Sequence, residues 1–446
     1  MTTNRYRALP SVDALLAEPR FADDDPALVT AIARETLADI RMAIASGRPS
    51  PSAGDLVETV AARVKAALSP PLRPLINATG VILHTNLGRA PLADEAIAAM
   101  AEVSRGYSNL EYDTDSGRRG SRHDILEPLI CRLTGAEAAF AVNNNASALL
   151  LALSALCAGR EVVISRGQLV EIGGGFRIPD VMRQSRARLV EVGTTNRTRV
   201  ADYESAVTAK TAALMRVHAS NFRITGFAAS AGLDELAAVA RDRGLLLLDD
   251  LGSGCLLDTR EFGLPAEPTP QASIDAGAHV VMFSGDKLLG GPQGGLIAGS
   301  KDAIARMKKH PLARAVRLDK ASIAGLAATL RLYVEGRAIE RIPVWRMIAM
   351  RAEDLAKRAD AAAAALGPAA ATCEGRSMVG GGALPEESLP TTLVVLGGRS
   401  AATIASRLRA AGVVARVEDG RVLLDPRTIA PGDDASVVEA CRAAIG

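Results

Sequence analysis

Between residues 77 and 310, short apolar runs alternate with stretches rich in alanine and leucine. The runs at 161–165, 188–192, 213–218, 245–249 and 279–283 are mostly continuous rather than alternating, as expected of strands covered on both faces. Helical stretches between them predict an α/β architecture, a mainly parallel sheet between helices. A different pattern precedes this region. Val29, Ile32, Ala33, Thr36, Leu37, Ile40 and Ile44 recur at helical spacing, and residues 55–68 repeat it. Gly47-Arg48-Pro49-Ser50-Pro51-Ser52 reads as a linker, and the prolines at 70, 71 and 74 end the module. From residue 321 a long helical region leads to hairpin-like apolar strands at 391–396, 413–417 and 421–425. The expected division is therefore a small helical domain over 1–74, a large α/β domain over 75–320 and a smaller α/β domain over 321–446.

Composition narrows the class. A chain of 446 residues that is 48% hydrophobic can bury a large core, and with 3% aromatic residues that core must be aliphatic. A net charge of +2 does not announce a nucleic-acid partner, so any such surface has to be a local patch. The cysteines at 131, 157, 255, 373 and 441 show no C-x-x-C spacing, which argues against a zinc site or a disulfide framework and fits a reducing compartment. The opening residues 1–7 lack the apolar centre of a signal peptide, and no segment has the long uncharged run of a membrane helix. A cytoplasmic protein without metal is expected.

Three motifs carry chemistry. After the apolar run 278–283, Ser284-Gly285-Asp286-Lys287 and the glycines at 290, 291, 294 and 295 place one lysine among small residues. Such a lysine, kept partly neutral by burial, suits condensation with the aldehyde of pyridoxal 5'-phosphate, and Ser284 can hold the phosphate. Alone, the motif reads more readily as a solvent-facing lysine in a glycine-rich turn. Upstream, the aliphatic run 244–248 ends in Asp249, Asp250 and the turn Gly252-Ser253-Gly254. Ligands of open α/β sheets lie at such strand ends, and a carboxylate there can pair with a pyridinium nitrogen. Asp250, nearest the turn, is the choice for that role, and Asp249 is expected to be structural. Finally, the strand-like Phe140-Ala141-Val142 runs through Asn143 and Asn144 into Asn145, Ala146 and Ser147 at a helix start. Its free N–H groups form a phosphate cup, although simple N-capping gives the same pattern. In the order cup, aspartate, lysine, the three point to a pyridoxal-phosphate enzyme of fold type I.

The segment Ile76-Asn77-Ala78-Thr79-Gly80-Val81-Ile82-Leu83-His84-Thr85-Asn86-Leu87-Gly88-Arg89-Ala90-Pro91-Leu92 resembles the opening signature of the bacterial selenocysteine synthase (L-seryl-tRNA(Sec) selenium transferase) family. Further matches are the runs 107–111, 167–174, 176–180 and 192–198, the Asp250 turn, the Lys287 loop and His310-Pro311-Leu312 through Lys320, with Gly380-Gly381-Gly382 fitting less specifically. The resemblance implies pyridoxal phosphate, seryl-tRNA(Sec) as substrate and selenophosphate as donor. It also implies elimination of water to an aminoacrylyl ester, followed by addition of selenium. It implies Lys287 as the cofactor lysine, Ser284 in the phosphate-contacting part and Asp286 as a catalytic neighbour. Arg89, Arg314 and Arg317 match arginines that hold the donor's phosphate, and Gln168 is expected near the ring. It further implies a homo-oligomer, a dimer at least and a ring of dimers, with the N-terminal module on the tRNA.

Several positions stay open at this level. The loop with Arg118, Arg119, Arg122 and His123 either reaches a substrate or is simply solvated. His84 and His218 either contact the ring or are structural. Arg34, Arg41, Arg48, Arg63 and Lys65 are available for phosphates, but a packing module would carry them too. Two other functions share most of these features: a β-lyase or aminotransferase acting on a free amino acid, and a tRNA-binding protein without catalysis.

Overall fold

The computed structural model describes residues 6, 9–173, 175–218, 222–398 and 400–446. Residues 1–5 and 7, Gly174 of the 167–174 motif and Ala219 at the end of the run from 213 lie outside the described residues. The chain forms two compact units, Met1–Pro74 and Leu75–Gly446. In the first, the helices Val12–Leu16, Pro26–Ala45 and Ala53–Leu68 enclose a core of Leu15, Phe21, Val29, Ile32, Leu37, Leu56, Val60 and Val64. Local chemistry sets their ends. Asp25 accepts from the Ala27 N–H ahead of a helix that opens on Pro26, and Ser52 with Asp55 forms a capping box. The helical spacing turns Arg34, Arg41, Arg63 and Lys65 outward, and Arg48 lies in the linker between the helices; all five are exposed, with Arg63 paired to Asp39 at 2.8 Å.

The second unit is built on a seven-stranded sheet in the spatial order Ala138–Val142, Gly295–Gly299, Val280–Ser284, Leu246–Gly252, Thr211–Val217, Glu161–Ser165, Arg188–Val192. The strand Gly295–Gly299 runs antiparallel to both neighbours; the other pairings are parallel. Alternation along each strand divides the core in two. Ala139, Ala141, Val163, Leu214, Leu247, Val281 and Phe283 pack with Leu236, Ala240, Leu326 and Trp345 on one face. Phe140, Val142, Val162, Ile164, Met215, Leu248 and Met282 pack with Leu149, Leu153, Ile304 and Met307 on the other. Both faces are covered, which is why these strands carry no polar alternation.

A second, six-stranded sheet has the order Ile76–Ala78, Val413–Glu418, Arg421–Leu424, Ser388–Leu396, Ala370–Gly380, Val81–Leu83. It differs from the expected hairpins in two respects. The signature strands at 76–78 and 81–83, assigned above to the large domain, pair here with strands from the C-terminal part. The strand Ala370–Gly380 has no apolar signature, because its Ala-Ala-Thr-Cys-Glu-Gly-Arg-Ser sequence lies largely at intermediate or full exposure and is held by its ladder with 388–396. Arg427 ties this sheet together from inside. Only 1% exposed, it donates to Ser377 Oγ and to the carbonyls of Met347 and Pro390, while Asp425 accepts from Ser377 and Thr391. Arg427→Ala leaves these acceptors unpaired in the interior and is expected to destabilise the protein by about 3–5 kcal/mol in urea unfolding. A loss below about 1 kcal/mol would show that the network carries no such weight.

Candidate active site

Asp249 and Asp250 sit side by side within the strand Leu246–Gly252, so the pleat sends them to opposite faces. Asp249 is fully buried, receives a bidentate pair from Arg216 at 2.7 and 2.6 Å and accepts from Ser273 at 2.6 Å. It is a structural carboxylate. Asp250 accepts from Asn145 Nδ2 at 2.7 Å on the other face. The strand runs on to Gly252, two residues beyond the aspartates' expected exit, with an irregularity in register at that point. Gly254 then turns the chain at φ +67°, where a Cβ would lie 2.2 Å from the Ser284 carbonyl, so only glycine lets this turn pass beneath the lysine loop.

The lysine loop is fastened along its length. The Gly285 N–H donates to the Gly294 carbonyl at 2.8 Å, and the Leu288 N–H to the Ser253 carbonyl at 2.9 Å. Beyond it, the Tyr333 hydroxyl donates to the Leu289 carbonyl at 2.9 Å and accepts from Trp345 Nε1 at 2.6 Å. Lys287 itself is 8% exposed. Burial lowers the pKa of its amine, and the nearby Arg89 charge lowers it further, against the opposing pull of Asp250, Asp286 and Glu267. Gly382, at φ +91°, lies against its side chain; a Cβ there would come within 2.5 Å of Cε and 2.6 Å of Nζ. The neighbouring Asp286 accepts from Arg89 Nη1 at 2.7 Å, and Arg89 has a left-handed backbone at φ 66°.

Lys287, Asp250, Asp286, Ser284, Arg89, Asn145, Ala146 and His218 all line one cavity of about 270 Å³, with Val170, Phe176 and Ile178 as its apolar wall. The residues fit pyridoxal phosphate: an amine and a carboxylate face the same space, and Asn145 Oδ1 and His218 Nδ1 are buried there without a partner among the described residues. Burial pushes the Asp250 carboxyl up to about 6, the Asn145 hydrogen bond and Lys287 opposing it; above that pH it is ionised and can accept from a pyridinium N–H.

Other expected site residues are placed elsewhere. Ser147 is the N-cap partner of Asn144, which takes both its N–H at 2.8 Å and its hydroxyl at 3.0 Å, and it does not line the cavity. Gln168 accepts from the Val217 N–H at 3.1 Å and lines a neighbouring cavity. Arg119, Arg122, Arg314 and Arg317 gather round a separate cavity of about 230 Å³ with Lys308 and His123. Glu111 organises them, accepting from Arg122 at 2.6 and 2.8 Å and from Arg119 at 3.0 Å, with Arg317 3.8 Å away. The arginines implied for one anion thus divide, Arg89 beside Lys287 and the rest apart from it. His84 is half-buried, its Nδ1 buried and unpartnered among the described residues, and it does not line the Lys287 cavity. Gly382, Tyr333 and Glu267 belong to the site's support and had no local signature beyond the glycine run at 380–382.

Two outcomes follow from this geometry. Gly382→Ala drives a methyl group into Lys287 and is expected to weaken cofactor binding by roughly tenfold or more, corresponding to about 1–3 kcal/mol of strain, in a cofactor titration. An affinity equal to wild type would mean that the loop moves aside freely. The second concerns Asp250. With its folded pKa raised from the ordinary 3.8 to about 6, the folded cofactor-free protein binds a proton there that the unfolded chain releases. Stability from this group is therefore present below pH 3.8 and is lost as pH rises through 6. Cofactor-free Asp250→Asn should resist urea better than wild type at pH 7, by about 2–3 kcal/mol at ~1.4 kcal/mol per unit, with the gap closing in acid. No gain at pH 7 would remove burial as the cause.

Comparison with known proteins agrees with the geometry. The family model described as L-seryl-tRNA selenium transferase matches residues 75–430. The chain is 48% identical to the L-seryl-tRNA(Sec) selenium transferase of Nitratidesulfovibrio vulgaris, covering 99% of both chains. It is 47% identical to that of Moorella thermoacetica, covering 98% of this chain and 96% of the relative. Among solved structures, D-glucosaminate-6-phosphate ammonia-lyase is similar with a TM-score of 0.61 at 25% identity, over 86% of this chain and 98% of that one. The fold is that of type I pyridoxal-phosphate-dependent transferases, the implied cofactor is pyridoxal phosphate, and the chain belongs to the L-seryl-tRNA selenium transferase family.

Proposed function

We infer that this protein converts seryl-tRNA(Sec) to selenocysteinyl-tRNA(Sec), with pyridoxal phosphate carried on Lys287 and selenophosphate as the donor. The observation that carries the reading is the shared cavity of a buried lysine, a buried carboxylate and an Arg89–Asp286 pair in a chain of this family. Bound pyridoxal phosphate supplies a conjugated ring that takes up the electron pair left when the seryl Cα–H bond breaks. Asp250 would hold the ring nitrogen, and Ser284, Asn145 and Ala146 lie where they can contact the rest of the group. Lys287 would be the base at Cα, because burial favours the neutral form of its amine. The proton it takes is then available to the departing β-hydroxyl, so water leaves; the selenium of selenophosphate bonds to Cβ, water breaks its P–Se bond and releases inorganic phosphate, and a proton returns to Cα.

Arg89 keeps a fork of N–H donors on the cavity side while Asp286 fixes its orientation, which suits the phosphate of a multiply charged donor. The cluster of Arg119, Arg122, Arg314 and Arg317 is a second anion site. In a homo-oligomer of dimers joined into a ring, it would serve a neighbouring subunit's Lys287 cavity or the RNA end. The exposed basic side chains of the N-terminal helices serve tRNA phosphates. No helix among the described residues is long and apolar enough to cross a membrane, and the five cysteines are free; the protein works in the cytoplasm.

The deciding experiment supplies purified protein and pyridoxal phosphate with selenophosphate and either seryl-tRNA(Sec) or seryl-tRNA(Ser). Conversion of the first alone is expected. Equal conversion of both, none of either, or turnover of free serine at a comparable rate would overturn the assignment. Arg89→Ala should raise the apparent KM for selenophosphate by roughly 10- to 100-fold, the range set by about 1.5–3 kcal/mol for hydrogen bonds to a charged group. An unchanged KM would remove Arg89 from the donor site.

A further inference from the structure

A second cavity, of about 520 Å³, adjoins the Lys287 site and has no role in the chemistry above. The two share Val217 and His218 in their walls, and Gln168 fixes that junction by accepting the Val217 N–H. Its volume lies within the range of small-molecule sites. Its lining is mixed: Phe222, Ile224 and Pro268 give apolar surface, and Ser165, Thr195 and Asn196 give neutral polar groups. The arginines on its rim are engaged within the protein. Arg216 is bound bidentately by Asp249, Arg223 pairs with Glu387 at 3.0 Å, and Arg197 lies over the Phe227 ring at 4.1 Å. Such a lining favours a neutral, flat, polar-edged group over a phosphate.

Glu267 supplies the second observation. It is 7% exposed, and Oε2 accepts weakly from the Leu384 N–H at 3.4 Å, on the loop whose Gly382 covers Lys287. Its Oε1 is buried on the wall of this cavity without a partner among the described residues, 3.9 Å from the equally unpartnered His218 Nδ1. A carboxylate accepts and does not donate, and an unpaired one in the interior is costly until a ligand hydroxyl or amine reaches it. Carboxylates that accept from ribose hydroxyls are a recurrent solution in nucleotide sites.

We propose that this cavity binds the terminal nucleoside of the aminoacylated RNA, with the ribose hydroxyl next to the seryl ester donating to Glu267 and the base lying between Phe222, Ile224 and Asn196. The proposal rests on Lys287 receiving the seryl group. The ester joins serine to the ribose directly, so the sugar must lie at the edge of the Lys287 cavity, and the junction at His218 leads into a space of the required size and polarity. Recognition of the sugar and base would then discriminate an RNA-borne serine from free serine, and Glu267 would link occupancy to the loop over the lysine.

The test uses the full-length protein loaded with pyridoxal phosphate and a hydrolysis-stable probe, the seryl amide of 3'-amino-3'-deoxyadenosine, beside serinamide. The readout is the change in the cofactor's visible absorbance, followed by photolabelling with the 2-azidoadenine version of the probe and peptide mapping. The nucleoside conjugate is expected to half-saturate at a concentration at least roughly tenfold lower than serinamide, about 1.4 kcal/mol of added binding. The label should fall on residues 195–198 or 222–230. In Glu267→Gln the ratio between the two probes should shrink at least threefold, an amount of the order of one neutral hydrogen bond. Equal affinity of the two probes, or a label confined to other peptides, overturns the proposal while leaving the Lys287 reading intact. If neither probe alters the absorbance, the Lys287 reading itself fails, and this proposal with it.

Discussion

Keeping the Lys287 amine out of water is the constraint on which the rest of this structure depends. A buried ammonium is costly, and the protein meets that cost with charge rather than by letting solvent in. Asp250, Asp286 and Glu267 favour the charged form, while burial and Arg89 oppose it, and the balance lowers the amine's pKa from its ordinary value. The surrounding backbone is correspondingly fixed. Gly254 passes under Ser284, Gly382 closes over the side chain, and Tyr333 with Trp345 holds the carbonyls just beyond it. Each device depends on close approach, which explains the density of glycine around one residue.

The same constraint joins the two sheets of the larger unit. The lysine follows a central strand of the seven-stranded sheet, but its cover at Gly382 directly follows the strand Ala370–Gly380 of the other sheet. That strand is paired with the signature residues 81–83, which lead through His84 to Arg89. The opening signature is therefore a structural bridge: it pairs within one sheet and delivers a guanidinium to the lysine of the other. A change in sheet packing would be felt at Nζ through glycine contacts that have no slack.

Much of the site could be read from local chemistry. A lysine among glycines after an apolar run, a pair of aspartates near the end of an aliphatic run and an asparagine-rich helix start each carry their own signal, and the structure brings Lys287, Asp250, Asn145 and Ala146 to one cavity. Choosing between Asp249 and Asp250 was within reach of strand alternation, although the strand continued beyond both. Ser147 illustrates the limit: N-capping and anion binding draw on the same N–H groups, and here Asn144 took them. Gln168 turned to a backbone N–H two strands away in sequence, a partner that no local pattern names.

By itself the sequence determined the helical module, the parallel α/β core, and the lysine and carboxylate proposed to hold the cofactor, because each is written in periodicity or in residue types that local backbone geometry demands. Only the tertiary structure decided which residues meet. It separated Arg89 from the cluster around Glu111, placed Gly382 and Glu267 beside a lysine distant from the first in sequence, and opened a second cavity at His218. Those outcomes follow from strand order and loop packing, and contacts between residues far apart in the chain leave no periodic trace in it.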